Sequence, residues 1–519
     1  MRLWCPFYGG RSKGKEPPGQ GEANVAVSGA GVPEGSGLGV GAPGRAGAAL
    51  VRPWLLGLVS SVLLSAGASL PGSPLVLDRP GAWFFGSARG APTEASLILS
   101  VLGLVGLSLG WLDLLRALRS SPGIEPGRLA PLAASCVLPL LVAPPMLTHD
   151  VYLYAAQGRL LLAGHNPNLV AVGALPHDPF RRLVDPIWLT APSLYGPLFS
   201  VLEAGAVLVS GYHVLWTVVV LRAVAVLGFA TMVAVLPRIA RVYGVDPATA
   251  VALGPLSPLV LLYVVAPGRN DALMLALVVV AVALATEGYP FAGIVVAAVG
   301  AAVKLPALGA AGFVTWEWAS ADPGLGRRLL RLGAGLGATS GVLEVGSLVT
   351  GLGWSWLGGL GAPARIWNFF TPDDAVTTLV LHLGAALGVR MPLGSLLGII
   401  QLVVGAAAII GCAGLLLSVH RLRLVPALGV ALLVVALAAP ALHAWYLAWG
   451  TVLLAAGTGR ARQGLLVWTV LVATLAFLPG PRTLAADLLE AGAIAVATLV
   501  LHGTAVRRSR QLAVGGSPG

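Results

Sequence analysis

The chain has 519 residues, of which 57% are hydrophobic and only 10% are charged, and its formal net charge is +11. Apolar runs of roughly twenty residues, the length that crosses a hydrocarbon core about 30 Å thick, recur along most of it. With a mean hydropathy of +0.87, the composition excludes an ordinary soluble domain and predicts an all-α polytopic membrane protein. The net charge does not indicate nucleic-acid binding, because Lys and Arg are scattered through short loops between apolar runs.

The two ends of the chain differ in composition from the middle. Residues 1–48 are mostly Gly, Pro, Ala and Ser with a few basic positions, which predicts a disordered cytoplasmic tail. The first long apolar run starts too far from Met1 for a cleaved secretory signal. Residues 506–519 are predicted to be a basic cytoplasmic tail, and residues 49–505 a transmembrane domain.

The positions of the arginines orient the first spans, because short cytoplasmic loops carry the excess of positive charge. Spans are predicted near residues 51–70, 93–115 and 129–147. Three arginines lie between the second and third of them: Arg116, Arg119 and Arg128. Asp150, which follows the third span, is therefore predicted on the extracytoplasmic side.

When the arginine-bearing loops are assigned to the cytoplasm from the C-terminal end backwards, the resulting orientation of the spans conflicts with this one at residues 196–211. Two arrangements would resolve the conflict. Either this stretch, which contains Glu203, returns without crossing, or residues 290–319 form one long helix kinked at Pro306 instead of two short helices. The sequence leaves both open.

Residues 148–197 form a polar, aromatic and Pro-rich segment that interrupts the apolar chain. It opens with His149 and Asp150, and a carboxylate at the water-facing end of an apolar run indicates chemistry or binding rather than packing. Both charge counts bring further polar groups to the same membrane face: residues 267–271, Lys304, residues 354–390 and residues 443–446. A site assembled from loops and helix ends is predicted there.

Several strings in this segment and beyond resemble a known family. They are HDVYLYAAQGRLLLAGHNP from His149, YGP from Tyr195, RNDALM from Arg269, VKLPA from Val303 and HAWYLAW from His443. In this order they are similar to the actinobacterial polyprenol-phosphate-mannose-dependent alpha-1,6-mannosyltransferases, which are membrane glycosyltransferases of the GT-C fold. The chain departs from the expected pattern at Arg269, where we expect His before Asn-Asp.

The resemblance implies a GT-C-like bundle of about 13–15 transmembrane helices. Residues 49–505 would be its catalytic domain, and residues 148–197 an extracytoplasmic catalytic loop. It also implies a reaction at the outer face of the plasma membrane. Mannose would pass from polyprenyl-phosphate-mannose to the 6-hydroxyl of a lipid-anchored mannan in lipomannan synthesis.

Such a transfer needs a base and cations. A sugar hydroxyl is a poor nucleophile, so a carboxylate must accept its proton, and Asp150 is the leading candidate. The polyprenyl phosphate leaves as an anion and needs positive charge rather than an acid. Candidates for this charge are Arg159, Lys304, Arg181 and Arg182. A beta-linked donor and an alpha-linked product imply inversion, with one base and no covalent intermediate.

The remaining predicted site residues are assigned to substrate binding. They are His149, Tyr152, Tyr154, Gln157, Arg159, Asn166, Tyr195, Asn270, Asp271, Lys304, His443, Trp445 and Tyr446.

Each assignment has a structural alternative. Asp150 could cap a helix that begins at Val151, and the pair Asn270-Asp271 could cap the next one. The tyrosines at 152 and 154, and the aromatic cluster that begins at His443, could be interfacial belt residues. Lys304 could snorkel instead of meeting a phosphate, and Arg181 with Arg182 could be a solvated loop pair. His149 could orient Asp150 or be merely interfacial.

No cofactor is predicted, and the sequence favours a reaction without a metal. The carboxylates nearest to Asp150 are Asp178 and Asp185, tens of residues away, and the three cysteines lack metal-ligand spacing. The alternatives are a GT-C transferase for another polyprenyl-phosphate sugar, such as arabinose, and a secondary transporter. Arg222 and Glu203 are the main hints of the midplane charges that a transporter would need.

Overall fold

The described helices range from short turns to segments long enough to cross a membrane, and prolines begin many of them. The computed structural model describes residues 43–76, 83–84, 93–359, 372–388 and 392–475. Most of the predicted N-terminal tail and all of the predicted C-terminal tail lie outside these residues. The first helix begins at Pro43, so the last residues that we assigned to the N-terminal tail are helical.

The described residues contain nineteen α-helices. In chain order they are α1 (Pro43–Ser69), α2 (Glu94–Ser120), α3 (Ala130–Val142), α4 (Asp150–Leu162), α5 (Pro197–Val209), α6 (Val214–Val242), α7 (Pro247–Leu253), α8 (Pro258–Val260), α9 (Asp271–Thr286), α10 (Pro290–Val303), α11 (Ala307–Ser320), α12 (Leu325–Val349), α13 (Trp356–Gly359), α14 (Pro372–Ala386), α15 (Leu393–Leu417), α16 (Val419–Leu422), α17 (Leu424–Leu437), α18 (Ala444–Gly457) and α19 (Gln463–Leu475). Four 3₁₀ turns (Pro126–Leu129, Val172–Ala174, Arg181–Leu183 and Pro186–Trp188) and one π-helical turn (Leu261–Val265) complete them.

Among the described helices, five are long and apolar enough to cross a membrane: α1 from Gly47, α2, α6, α12 and α15. The bent pair formed by α7 and the segment Pro258–Val265 would make a sixth. Helix α15 buries none of its most apolar window, and Ile409 and Ile410 on it are each 72% exposed. Such a surface is suited to lipid. The chain is thus an all-α polytopic membrane protein, as predicted; the number of 13–15 spans stays a prediction, because eight further apolar helices are shorter.

Proline and small polar residues set many of the helix starts. Asp246 accepts a hydrogen bond from the Thr249 backbone N–H at 2.8 Å, and Pro247 follows as the first residue of α7. Ser257 and Pro258 repeat this arrangement at α8. A side-chain cap followed by Pro satisfies the free N–H groups of the first turn.

Residues 290–319 are two helices and not the single kinked helix that we considered. The backbone at Lys304 is extended, with φ −153° and ψ 130°, and separates α10 from α11. Helix α5, which covers most of the other ambiguous stretch, has 13 residues.

Glycines allow two close approaches that position the loop of residues 148–197. A Cβ on Gly196 would lie 2.3 Å from the Ala302 carbonyl oxygen, and the Gly196 N–H donates to the Val303 carbonyl at 3.3 Å. A Cβ on Gly158 would lie equally close to the Glu203 carbonyl oxygen, where α4 crosses α5. The YGP string therefore fastens the loop to the end of α10, beside Lys304.

Candidate active site

A cavity of about 220 Å³ lies where the N-terminal ends of α4 and α18, the turn before α9 and the C-terminal end of α10 meet. Its walls combine charged groups with aromatic rings. They are formed by Leu147, Thr148, His149, Asp150, Asp185, Ile187, Trp188, Leu194, Tyr195, Tyr263, Arg269, Lys304, His443, Trp445 and Tyr446. Four of the predicted regions thus contribute to one cavity: the loop after Asp150, the turn at 267–271, Lys304 and residues 443–446; residues 354–390, which we also predicted there, contribute none of its lining residues.

Asp150 is the first residue of α4 and does not cap it. The N-cap residue is His149, whose side chain makes no capping hydrogen bond. Instead, one oxygen of the Asp150 carboxylate accepts from Thr148 Oγ1 at 2.7 Å and the other pairs with Arg269 Nη1 at 2.5 Å. The capping alternative for Asp150 is therefore wrong, since its carboxylate is committed to these two donors.

The pair between Arg269 and Asp150 is unequal in exposure. The Arg269 side chain is 1% exposed, whereas that of Asp150 is 15% exposed and faces the cavity. Burial by itself raises the pKa of Asp150, but the charge of Arg269 and the hydrogen bond from Thr148 outweigh it and hold the pKa below its ordinary value. The carboxylate is therefore ionised at neutral pH.

Arg269 is held by more than its ion pair. Its guanidinium lies 3.0 Å from the centre of the Trp445 ring. Its Nε and Nη2 groups are buried and, within the described chain, have no hydrogen-bond partner, and the same holds for Trp445 Nε1. These three N–H groups are enclosed by protein atoms and do not reach the cavity surface.

A second ion pair, between Lys304 and Asp271, lies beside the first. Lys304 Nζ donates to both Asp271 oxygens at 2.8 Å, and Trp449 Nε1 donates to one of them at 2.7 Å. The rings of Tyr195 and Tyr446 lie 5.8 and 5.5 Å from the ammonium. Lys304 is 5% exposed and meets an anion inside the protein, so it does not snorkel.

Asn270 connects the second ion pair to α4. Its side-chain oxygen accepts from Tyr154 and from Lys304, each at 3.3 Å. Although Asn270 is the N-cap residue of α9, its side chain makes no capping hydrogen bond, and Asp271 is the first helical residue. The capping alternative for this pair is also wrong: both side chains serve the site instead.

Aromatic rings form the wall contributed by α18. His443 stacks on Trp445 with ring centres 4.1 Å apart and an angle of 8°, and Tyr446 stacks on Trp449 at 4.4 Å. Burial, followed by the nearby charge of Arg269, lowers the pKa of His443 to about 3. His443 is therefore neutral at physiological pH, and its ring offers one hydrogen-bond donor and one acceptor.

Seven of the predicted site residues line the cavity: His149, Asp150, Tyr195, Lys304, His443, Trp445 and Tyr446. Tyr154, Asn270 and Asp271 lie behind them and hold them in place through the hydrogen bonds given above. Tyr152 and Tyr154 are 3% and 0% exposed, so they are core residues and not a membrane-interface belt.

Other predicted residues lie away from the cavity. Arg159, at the opposite end of α4, pairs with Asp178 at 3.1 Å. Gln157 accepts from Ser193 Oγ at 3.2 Å, and Asn166 donates to Ser355 Oγ at 3.0 Å. The side chains of Arg159, Gln157 and Asn166 thus hold the loop of residues 148–197 in place. Neither of the two remaining candidate cations, Arg181 and Arg182, lines the cavity.

Sequence reasoning missed several groups of the site. It left Arg269 without a role and did not assign Thr148, Asp185, Trp188 or Tyr263 to the wall. Thr148 and Arg269 adjoin predicted residues in sequence, which is the only signal that would have included them. Trp188 and Asp185 belong to the 3₁₀ turn at Pro186–Trp188 and its cap, whose approach to the cavity depends on the folded loop.

Within the described residues, no group of three or more His, Cys, Asp or Glu side chains is arranged to hold a metal ion. Asp178 is paired with Arg159, and Asp185 accepts from the Ile187 N–H at 3.0 Å. A reaction without a metal remains a prediction from the sequence.

Comparison with known proteins agrees with the resemblance. Residues 54–320 match the family model described as alpha-(1->6)-mannopyranosyltransferase, N-terminal domain, and residues 374–507 match the MptB C-terminal domain. A probable alpha-(1->6)-mannopyranosyltransferase of Mycolicibacterium smegmatis is 30% identical over 449 residues, which are 79% of each chain.

Two further relatives are similar over most of their length. An alpha-(1->6)-mannopyranosyltransferase of Mycobacterium tuberculosis is 29% identical over 83% of each chain. Alpha-(1->6)-mannopyranosyltransferase B of Corynebacterium glutamicum is 26% identical over 78% of this chain and 73% of its own. No solved structure matches the chain. The chain belongs to the alpha-(1->6)-mannopyranosyltransferase family of membrane enzymes.

Proposed function

We propose that the enzyme transfers mannose from polyprenyl-phosphate-mannose to the 6-hydroxyl of a lipid-anchored alpha-1,6-mannan, with inversion, at the extracytoplasmic face. In this proposal Asp150 is the general base. The observation that carries it is the position of Asp150: a carboxylate in the cavity wall, ionised and fixed by Arg269 and Thr148. A base must be both deprotonated and oriented before the acceptor arrives.

The low pKa of Asp150 makes it a weak base, which suits a late proton transfer. In glycosyl transfer the sugar carbon becomes strongly electron-deficient before the acceptor oxygen bonds to it. As this bond forms, the hydroxyl proton becomes acidic enough for a carboxylate to accept it. The donor C–O bond breaks with its electron pair leaving on the phosphate oxygen, so the products are a glycoside, a polyprenyl phosphate and protonated Asp150.

The positive charge of Arg269 affects both the proton transfer to Asp150 and the departure of the phosphate. Before transfer, its positive charge is balanced by Asp150 and the donor phosphodiester carries one negative charge. When Asp150 takes the proton, Arg269 loses its counter-ion just as the leaving phosphate gains a second negative charge. A cation already in place stabilises that developing charge without reorganisation.

The position of Arg269 in the cavity wall supports the same location for the donor. A guanidinium charge attracts phosphate oxygens. Trp188 lines the cavity, and an indole ring is suited to the apolar face of a sugar ring; both faces of Trp445 are already covered, by Arg269 and by His443. Lys304 also lines the cavity and can contribute its charge while it remains bonded to Asp271.

A test uses the purified enzyme in lipid vesicles with a synthetic alpha-1,6-mannoside acceptor. Radiolabelled polyprenyl-phosphate-mannose, polyprenyl-phosphate-arabinose and GDP-mannose are supplied in parallel. We expect transfer from the first alone, with an alpha-linked product. Transfer from the arabinose donor would support the alternative GT-C activity, and use of GDP-mannose would contradict the lipid-linked mechanism.

The proposed sidedness is tested by cysteine labelling in intact cells. The native cysteines are replaced, and single cysteines are introduced at Ala174, in the loop, or Gly326, beside Arg327; both positions are exposed. An impermeant maleimide should label position 174 and leave position 326 unlabelled. The reverse pattern would place Asp150 in the cytoplasm and refute the extracytoplasmic site.

A further inference from the structure

Arg222 is a buried arginine within α6, a candidate membrane span. It is 2% exposed, and none of the salt bridges in the described part of the chain includes it. A charged side chain at such a position is costly and indicates a specific role.

The Arg222 guanidinium donates only to backbone carbonyls. Nη1 donates to Ala143 at 2.7 Å and to Leu141 at 3.1 Å, while Nη2 donates to Leu140 at 2.7 Å. These carbonyls belong to the C-terminal end of α3, where a helix leaves its last C=O groups unpaired. The negative end of the helix dipole favours a cation there.

Other side chains complete the end of α3. The Val142 carbonyl accepts from Trp83 Nε1 at 2.6 Å, and the Pro139 carbonyl accepts from Ser65 Oγ at 2.7 Å. The Trp83 ring also lies 4.8 Å from the Arg222 guanidinium. The last backbone carbonyls of α3, after which the chain continues to Asp150, are thus all hydrogen-bonded.

The fourth hydrogen bond of Arg222 goes to a different segment. Nη2 donates at 2.6 Å to the carbonyl of Ala266, three residues before Arg269. Gly268, between them, has φ +77°, and a Cβ there would lie 2.6 Å from Arg222 Cγ. The turn that carries Arg269 therefore packs directly on the Arg222 stem.

We propose that Arg222 is a positioning residue: it joins the segment leading to Asp150 to the turn carrying Arg269 and so sets the geometry of their ion pair. This role rests on the proposed function of Asp150 as the base. The planar fork of arginine can reach both segments at once, whereas a lysine ammonium is a single point. Losing either connection should loosen the pair.

The experiment compares Arg222→Met and Arg222→Lys with Arg238→Met. Arg238 is the matched control, because it is also on α6 but forms an exposed pair with Glu287. Turnover, donor KM and the pH profile of kcat/KM are measured for each purified variant. A displacement of the pair by about 1 Å should lower kcat on the order of 100-fold in both Arg222 variants and leave the control unchanged.

The pH profile separates positioning from a loss of folded protein. Arg269 holds the pKa of Asp150 down against burial, and the Thr148 hydrogen bond and the charge of Lys304 lower it further. His443 is neutral at physiological pH and acts on Asp150 by charge only when it is protonated at low pH. A loosened Asp150–Arg269 pair should let the pKa of Asp150 rise, so the acid limb of the kcat/KM profile should move to higher pH. A merely structural role would reduce the amount of active enzyme and leave the limb in place.

Gly268→Ala tests the same connection if Arg222→Met fails to fold. The added methyl group would crowd Arg222 Cγ and strain the turn. The acid limb of the pH profile of this variant should therefore also move to higher pH. An unmoved limb in Gly268→Ala and Arg222→Lys, or an equal shift in Arg238→Met, would overturn the proposal. Asp150→Asn is measured beside them: wild-type turnover in that variant would refute the base assignment, a result distinct from a failure of positioning.

Discussion

The two aspartates of the site, Asp150 and Asp271, occupy the same position in a helix but differ in their exposure to the cavity. Each is the first residue of a helix, follows a polar residue and pairs with a buried cation. Asp150 is 15% exposed to the cavity, whereas Asp271 is 0% exposed and lies behind it. A carboxylate that can meet substrate is thereby distinguished from one that holds the site together.

Their hydrogen bonds explain the difference. Asp271 accepts three bonds, two from Lys304 and one from Trp449. Asp150 accepts one bond on each oxygen, from Arg269 and Thr148, and a carboxylate oxygen can accept more than one. Asp150 therefore keeps a free lone pair at the cavity, as its proposed role as base requires, whereas Asp271 has no exposed surface there.

The largest effect should come from Asp150→Asn. The amide keeps the size of the side chain but cannot accept the proton, so kcat should fall on the order of 100-fold or more. Turnover is measured with equal amounts of purified protein, and the thermal midpoint serves as the control for folding. Activity close to that of the wild type would remove Asp150 as the base.

Asp271→Asn should act on stability rather than on chemistry. It leaves the Lys304 ammonium buried without its anion, and removing one partner of a buried pair costs about 3–5 kcal/mol. The thermal midpoint in detergent should fall clearly, and the double variant Asp271→Asn with Lys304→Met should recover much of it. No recovery in the double variant would show that Asp271 is needed for something other than this charge.

The same double variant tests whether Lys304 also contacts the donor phosphate. If Lys304 also contacts the donor phosphate, donor KM should remain raised by about tenfold after stability is restored, because a hydrogen bond to a charged group contributes about 1.5–3 kcal/mol. The acceptor KM should not change. A donor KM equal to that of the wild type would confine Lys304 to holding Asp271.

The smallest effect is expected at the far end of α4. Arg159→Gln removes a partly exposed pair with Asp178, and such pairs contribute about 0–1 kcal/mol. Turnover and donor KM should change by less than about fivefold, which is the kinetic equivalent of about 1 kcal/mol. A loss comparable to that of Asp150→Asn would return Arg159 to the site and contradict its placement here.

The sequence predicted the all-α membrane class and the polar loop that contributes Asp150 to the cavity, because apolar length and local composition are local signals; the extracytoplasmic face stays a prediction. It could not predict which polar groups pair. Asp150 and Arg269 are 119 positions apart, and their contact depends on how α3, α6 and the turn before α9 pack. Arg159 shows the converse: it shares a helix with Asp150, but the length of α4 carries it away from the cavity.

Charge balance in the cavity also governs how a substrate reaches it. Arg269 and Lys304 each have a carboxylate within 2.5 and 2.8 Å, and Asp185 adds a further acid to the wall, so the lining has no excess positive charge to attract anions over a distance. A lipid-linked donor would then arrive by lateral diffusion in the bilayer and be selected on contact. Its encounter rate should depend on membrane concentration and viscosity, and hardly at all on ionic strength.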